Sequence, residues 1–434
     1  MPVPPIDVHH LLLFLLQVGL LLALALGLGR LATRWGMPAV VGELTTGIVL
    51  GPSLLGQLAP GLSGWLMPTV DSQVHLLDAV AQLGVLLLVA VAGIEVDLPL
   101  VRRRAGTVAA VGGAGLVIPF GLGVAAGFLI PETLLTEGSD RLVFALFIGV
   151  ALCVSALPVI TKLLADLRLL HRTIGQLTLA AGIVDDVFGW FVLSVVAAMA
   201  TTGARAGDAV LSLLALLLVA ALAVTAGRPL VRAVLRRTER VGEAAPTVTA
   251  AVAIVMLCAA GTHALRLEAV FGAFVAGLLI RASGVDLANL APLRVMVMAV
   301  LAPLFFAVAG LRMDLTALAD PVVLAVAAGV LLLAVVGKFA GAGLGALASR
   351  LTRWEALALG AGLNTRGVIQ IVVATVGLRL GVLGTETYTI VVLVAIATTL
   401  MAPPILRLAV RRIDYTAEEE LRRQHAAAFA GERG

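Results

Sequence analysis

Charged side chains are scarce in this sequence, where they make up 13% of 434 residues. A soluble domain carries about 25%. Hydrophobic residues make up 61% and the mean hydropathy is +1.10, so we predict an integral membrane protein. The formal charge of +4 does not indicate a nucleic-acid partner, because the basic residues are scattered between apolar runs. The N-terminal region lacks a basic leader and a cleavage site, so we expect a retained first helix.

Cysteine and lysine are nearly absent as well. Cys153 and Cys258 both lie inside apolar runs, so they give no sign of a disulfide framework, and no metal-ligand spacing is present. We therefore expect no cofactor and no enzymatic activity. The thirty basic residues include two lysines, Lys162 and Lys338, and the rest are arginines. A lysine inside an apolar run is therefore an unusual choice for this sequence.

Long apolar runs follow one another along the chain and are separated by short polar or Gly/Pro-rich links. They cover residues 11–32, 38–55, 76–97, 104–130, 141–163, 174–200, 208–234, 246–264, 267–283, 293–313, 321–348, 354–378 and 385–407. Runs of this length predict about thirteen membrane-spanning helices. We expect an all-α membrane domain over residues 1–407 and a short cytoplasmic tail over residues 408–434.

The basic residues predict an orientation for these helices. With the N-terminus outside, the inner links and the tail carry 23 of the 30 Lys and Arg residues, and the outer links carry 5. Inner loops are the ones enriched in Lys and Arg. We therefore predict that the N-terminus lies outside and the C-terminus inside.

Two adjacent carboxylates, Asp185 and Asp186, lie in the middle of the sixth run. A carboxylate at that depth costs roughly 2.5–3.5 kcal/mol on insertion scales, so two of them indicate a functional site. Adjacent residues of a helix point about 100° apart. One acid can therefore face a cavity while the other pairs with a base on a neighbouring helix. The candidate base is Lys338, because a lysine can lose its proton and an arginine effectively cannot.

Two of the predicted helices are interrupted at mid-membrane. In the fifth, Pro158 removes an N–H group and frees a carbonyl near Val154, beside the Ser155 hydroxyl. In the twelfth, Asn364, Thr365 and Arg366 stand between glycines, and we expect Arg366 to hold this break together. Broken helices at corresponding places of two triplets of opposite sense predict an inverted repeat around a transport site.

Other features of the apolar runs predict packing and access. Gly337, Gly341 and Gly345 repeat at four-residue spacing and predict a face where a neighbouring helix approaches closely. Glu43 and Glu268 lie near the ends of apolar runs. Either could line an access path, and a solvated or inter-subunit role is an equal alternative.

In chain order, the motifs resemble those of the second branch of the monovalent cation:proton antiporter superfamily. This branch includes bacterial Na⁺/H⁺ antiporters, the membrane parts of potassium-efflux systems and plant cation/H⁺ exchangers. The matching segments are 38–53, 83–97, 155–160, Asp185–Asp186, 270–277, 303–311 and 364–367. The resemblance covers nearly the whole chain.

The resemblance implies an architecture for this chain. It implies a homodimer in the bacterial cell membrane, where it would serve pH homeostasis. A core of about 104–200 and 321–407, with two crossed broken helices, would move as an elevator. The scaffold for dimerisation would be about 11–97 and 246–313, with a linker helix over about 208–234. Potassium-efflux members carry a soluble nucleotide-binding domain, and we expect none in this chain.

The resemblance also implies site roles. Asp186 would be the main carrier of a monovalent cation (Na⁺ first, K⁺ or Li⁺ as alternatives) and of protons, and Asp185 would pair with Lys338. From the residues themselves, we expect Ser155 and the carbonyls freed near Val154 to supply further oxygen ligands. An Asp-Asp pair with this lysine implies electrogenic exchange. The alternative function is a sodium-coupled solute symporter on a related inverted-repeat scaffold; a Mg²⁺ enzyme and a channel match the pattern less well.

Overall fold

The computed structural model describes residues 7–67, 71–95, 105–136, 138–156, 159–160, 163–164, 167–202, 214, 217–219, 221–240, 242–265, 267–417 and 419–420. Within these ranges the regular structure is helical, apart from one isolated bridge between Leu135 and Leu383. The all-α class predicted from the apolar runs is therefore confirmed for the described part of the chain.

The helices are labelled in chain order by the ranges that the structure gives them. They are α1 (Val8–Arg34), α2 (Ala39–Leu50), α3 (Leu55–Leu58), α4 (Pro60–Leu66), α5 (Asp71–Glu95), α6 (Ala105–Leu129), α7 (Arg141–Cys153), α8 (Thr173–Thr202), α9 (Arg228–Glu239), α10 (Ala244–Ala264), α11 (Ala269–Ser283), α12 (Ala291–Met296), α13 (Ala302–Leu311), α14 (Pro321–Ala348), α15 (Arg353–Leu363), α16 (Val368–Arg379) and α17 (Thr385–Val410). A π-helical turn over Val297–Leu301 joins α12 to α13.

Membrane-spanning segments are recognisable by their length and composition. Nine helices in the described ranges are long and apolar enough to cross a membrane, and α7, α11 and most of α16 are shorter apolar helices. The chain is therefore a multi-pass membrane protein. The count of thirteen, the inverted repeat and the orientation stay predictions. The predicted linker over 208–234 begins outside the described residues, since 203–213, 215–216 and 220 are not described.

The chain divides into two compact units. One comprises residues 1–96 and 197–320, and the other comprises residues 97–196 and 321–434. The second unit contains α6, α7, most of α8 and α14–α17, and it therefore holds both acids, Lys338 and both predicted breaks. Which unit moves and which dimerises stays a prediction.

Both predicted breaks fall where a helix ends inside the second unit. The fifth run is interrupted as predicted: α7 ends at Cys153, Val154 is extended, with φ −75° and ψ 136°, and residues 159–160 and 163–164 are helical again. Pro158 lies outside the described residues. The twelfth run is divided into α15 and α16 by the residues around Asn364. The helix α7 thus ends before Pro158, the proline from which this break was predicted.

Glycines in α14 allow α6 to pack against it at backbone distance. A Cβ added to Gly341 would lie 2.4 Å from the carbonyl oxygen of Ala114, and one added to Gly345 would lie 2.3 Å from that of Ala110. Real Cβ atoms essentially never approach an atom this closely. The small-residue face predicted from the four-residue spacing is therefore confirmed, and its partner is α6.

We expect Gly341→Ala to destabilise the protein by about 1–3 kcal/mol, because the new methyl group must displace the backbone of α6. Gly343→Ala is the matched control, since a Cβ there meets nothing within 4 Å. The control should be neutral or stabilising by up to about 1 kcal/mol, because alanine is the better helix former. Thermal unfolding of the detergent-solubilised variants measures both effects. Equal midpoints for the two variants would contradict the close approach.

Candidate ion and proton site

The helix α8 carries both acids into the interior of the second unit. Asp185 is 1% exposed and Asp186 is completely buried. Asp185 lies twelve residues after the start of α8 at Thr173, about 18 Å along the helix axis. The hydroxyls of Thr178 and Ser194, in contrast, donate to carbonyl oxygens one turn earlier in the same helix, those of Ile174 at 2.7 Å and Trp190 at 2.9 Å. The helix α8 therefore places two buried carboxylates, those of Asp185 and Asp186, inside the second unit.

Lys338 of α14 meets Asp185. Its ammonium Nζ lies 2.5 Å from Asp185 Oδ2, and both side chains are fully buried. The same ammonium donates to the carbonyl oxygens of Cys153 at 2.7 Å and Gly115 at 2.9 Å. An ammonium has three N–H donors, so these three acceptors satisfy all of them. The geometry is that of a saturated buried cation.

The Ser155 hydroxyl connects the acid pair to the second break. Its Oγ lies 2.5 Å from Asp185 Oδ2 and 2.6 Å from the carbonyl oxygen of Leu363. A hydroxyl has one hydrogen to donate, so it serves one of these acceptors at a time or shares its hydrogen between them. The backbone N–H of Ala156 donates to the carbonyl of Thr365 at 3.1 Å. The two breaks are therefore in direct contact.

Arg366, which lies in the second break, bonds to the end of α7 at the first break. Its guanidinium donates to the carbonyl oxygens of Ala151 at 2.7 Å and Leu152 at 2.5 Å, which belong to the last turn of α7. The Thr399 hydroxyl of α17 in turn donates to the carbonyl of Arg366. The last four carbonyls of a helix have no partner within it, and Arg366 supplies partners for two of them.

Asn364 stands between these contacts with an unused amide. The residue is 1% exposed, and neither Oδ1 nor Nδ2 has a hydrogen-bond partner within the described part of the chain. The neighbouring Thr365 hydroxyl makes a long bond of 3.4 Å to the carbonyl of Ala361. The predicted support of the break by Asn364 is therefore not made by its side chain, whose Oδ1 is an available oxygen ligand.

The two glutamates predicted for an access path belong to the first unit. Glu43 lines a cavity of about 440 Å³ together with Arg30, Thr33 and apolar residues of α1, α2 and the 298–303 segment. Glu268 immediately precedes α11 and is 6% exposed. A role of either residue in ion access stays a prediction.

Sequence reasoning did not find the backbone ligands of the site or the role of Thr399. Carbonyl groups carry no signal in a sequence, so the carbonyl oxygens of Gly115, Cys153 and Leu363 could be identified as ligands only from the folded structure. Thr399 had a weak signal, because Thr398 and Thr399 form a polar pair within the last apolar run. The Thr398 hydroxyl donates to its own helix at Val394, whereas Thr399 supports the break.

The chain matches the family of transmembrane sodium/hydrogen exchangers over residues 20–412. It therefore belongs to this family, as the order of its motifs predicted.

Proteins similar to this chain are named as cation/proton antiporters. The chain is 31% identical to the Na(+)/H(+) antiporter NhaS4 of Synechocystis sp. over 404 residues, which cover 92% of this chain and 98% of that protein. It is 32% identical to Cation/H(+) antiporter 18 of Arabidopsis thaliana, covering 98% of this chain and 52% of that protein. The K(+)/H(+) antiporter 1 of Saccharomyces cerevisiae is 30% identical, with 92% and 46% covered. The chain thus spans about half the length of the plant and yeast relatives.

Solved structures support the fold. The sodium proton antiporter MjNhaP1 from Methanocaldococcus jannaschii at pH 8 aligns with a TM-score of 0.60 at 17% identity, covering 92% of this chain and 99% of that chain. A second structure of MjNhaP1, determined by electron microscopy, gives a TM-score of 0.64 at 17% identity and covers 95% and 100%. At this identity the likeness concerns the fold alone.

A double-mutant cycle should reveal the coupling between Asp185 and Lys338. We expect Lys338→Met alone to destabilise the protein by about 3–5 kcal/mol, because it leaves a buried carboxylate without its cation. Adding Asp185→Asn should recover about 1–3 kcal/mol of this loss. Unfolding midpoints in detergent provide the measurement, and Ser194→Ala in the same helix serves as a control for a buried polar side chain. Strict additivity of the two single variants would contradict the coupling.

Proposed function

We propose that the chain exchanges Na⁺ for protons across the bacterial cell membrane by alternating access, with Asp186 as the carrier. The observation that carries this proposal is the pair of buried acids beside two broken helices, one acid held by Lys338 and Ser155. Family membership supports cation/proton antiport as the class of function. K⁺ and Li⁺ are the alternatives for the transported cation.

Competition for one site would couple the two ions. A deprotonated Asp186 supplies oxygen for a hard monovalent cation, and protonation removes the negative charge that holds it. Ser155 Oγ, the carbonyl of Val154 and Asn364 Oδ1 are further oxygens near the breaks. The site then accepts a cation or a proton, and each one displaces the other.

Movement of the second unit against the first would expose the site alternately to the two sides. An uncompensated carboxylate within the membrane costs several kcal/mol. Movement is therefore favoured once a cation or a proton has neutralised Asp186, and this condition makes the exchange obligatory. We propose that a homodimer, formed through the first unit, provides the fixed scaffold.

Lys338 would make the exchange electrogenic. A proton that leaves Lys338 when the cation binds, and returns when the cation leaves, adds a second proton to each cycle. The pair with Asp185 supports this role because a lysine can release its proton while its partner carboxylate remains in place. An exchange of two protons for one Na⁺ moves net charge and responds to voltage.

The alternative of a sodium-coupled symporter has no support from the relatives, whose names describe antiporters. A symporter would show sodium uptake that an organic solute stimulates. Exchange that needs only Na⁺ and a pH difference excludes it.

We expect Asp186→Asn to abolish cation/proton exchange, because an amide neither binds the cation electrostatically nor carries the proton. Proteoliposomes with an internal pH indicator, tested with Na⁺, Li⁺ and K⁺, measure the exchange and its cation preference. Glu132→Gln, which alters an exposed acid of the same unit, is the control and should retain full activity. Exchange by the Asp186→Asn variant at the wild-type rate would refute the assignment.

We expect Lys338→Gln to remove the voltage dependence of the exchange, because the second proton of the cycle is lost. Proteoliposomes with a valinomycin-clamped potassium gradient compare Na⁺/H⁺ exchange rates at zero and about 100 mV, a potential that acts on each moved charge with about 2.3 kcal/mol. Asp185→Asn tests whether the partner carboxylate is required for the same effect. A Lys338→Gln variant as voltage-sensitive as the wild type would assign the lysine a structural role instead.

A further inference from the structure

The segment that follows the last helix is tied to the start of the site helix. This segment, residues 411–420, is called the anchor segment; its residue 418 lies outside the described residues. Glu419 Oε1 accepts a hydrogen bond of 2.6 Å from the backbone N–H of Thr173, the first residue of α8. Glu419 is 2% exposed. A buried carboxylate from the anchor segment therefore sits on the N-terminal end of the helix that carries the acid pair.

Arg172 joins the same contact from the other side. Its Nε lies 3.2 Å from Glu419 Oε2, and its Nη2 donates to the carbonyl oxygens of Ile413 at 3.0 Å and Asp414 at 3.1 Å. Its guanidinium also lies over the Tyr415 ring, 5.0 Å from the ring centroid. The anchor segment is thus held by its backbone, its carboxylate and its aromatic ring.

The contact supplies what the local sequence of α8 lacks. A helix begins with free N–H groups and a positive dipole end, and Ser, Thr, Asp or Asn before the first turn normally satisfies them. The residues before Thr173 are Leu170, His171 and Arg172, and none is a capping residue. Glu419 provides the missing acceptor and negative charge from 246 residues further along the chain.

We propose that Glu419 is a positioning residue for the acid pair: it fixes the start of α8 and thereby the axial position of Asp185 and Asp186. This role rests on the proposed function of that pair. The Asp185 contacts to Lys338 and Ser155 are both 2.5 Å long. A hydrogen bond weakens steeply with distance and angle, so a small axial shift of α8 would disrupt both contacts.

The contact of Glu419 with Thr173 and Arg172 is stable at neutral pH. Burial raises the pKa of Glu419, but the N–H groups of Thr416 and Thr173 and the Arg172 charge outweigh it and hold the pKa below its usual value of 4.5. The stabilising contribution is therefore fully present above that usual value and is lost as the pH falls through the lowered pKa. The other titratable groups at the contact are His171, packed on Tyr415 at 5.9 Å, and Glu420, which accepts from the Tyr415 hydroxyl.

The test compares Glu419→Ala and Glu419→Gln with Asp414→Ala and Asp414→Asn in the full-length protein. Asp414 is an exposed acid of the same segment, so its variants remove the same charge without touching the start of α8. The first measurement is the apparent KM for Na⁺ and the pH of half-maximal exchange in proteoliposomes. The second is hydrogen exchange of the α8 amides from Thr173 to Asp186.

We expect Glu419→Ala to raise the apparent KM on the order of threefold to tenfold, the size of a lost helix cap, and to shift the pH of half-maximal exchange. Amide exchange should accelerate from the first turn of α8 to the acid pair. Glu419→Gln keeps an acceptor but no charge and should show a smaller effect. The Asp414 variants should match the wild type.

An unchanged KM and pH midpoint in both Glu419 variants would overturn the positioning role, even if less protein or a lower maximal rate is obtained. If Glu419→Ala does not fold, Glu419→Gln decides by the same criteria. If the wild type shows no cation/proton exchange, the proposed function fails, and hydrogen exchange still decides the anchor: unaltered protection around Asp185 would refute it.

Discussion

The end of α7 is the point on which the buried charges of the second unit depend. A helix that stops inside a membrane leaves four carbonyls that neither lipid nor the helix can satisfy. Here the carbonyl of Val150 receives the N–H of Val154, those of Ala151 and Leu152 receive Arg366, and that of Cys153 receives Lys338. Positive charge at this helix end is also favoured by the helix dipole. The break is therefore stable because two cations are buried beside it.

Two buried cations require negative charge nearby, and the acid pair supplies it. Lys338 pairs directly with Asp185 at 2.5 Å, whereas the Arg366 guanidinium bonds to backbone carbonyls of α7. In the proposed exchange, a transported cation or a proton neutralises Asp186, and each one excludes the other. Adjacent acids suit this arrangement, because their directions on the helix differ by about 100° and only one need face the lysine.

Much of this arrangement could be predicted from the sequence, and the failures have physical causes. Long apolar runs fix most helix ranges because only regular structure is stable in lipid, and the scarcity of lysine singles out Lys338. The end of α7 at Cys153, ahead of Pro158, could not be predicted, because it depends on side chains supplied by α14 and the second break. The contacts of Arg172 with Ile413, Asp414 and Glu419 could not be predicted either, because they join residues about 240 positions apart that local periodicity cannot relate.

The site is held from three directions, and this matters for exchange. Lys338 of α14 binds Asp185, and Ser155 links Asp185 to the second break. The anchor segment fixes the first turn of α8 and thereby the axial position of the helix. A unit that carries an ion across a membrane must keep its ligands in register while it moves, since a shift of a single hydrogen-bond length exposes an unbalanced buried charge. The contacts that hold Asp185 therefore also fix the position of its neighbour Asp186, the proposed carrier.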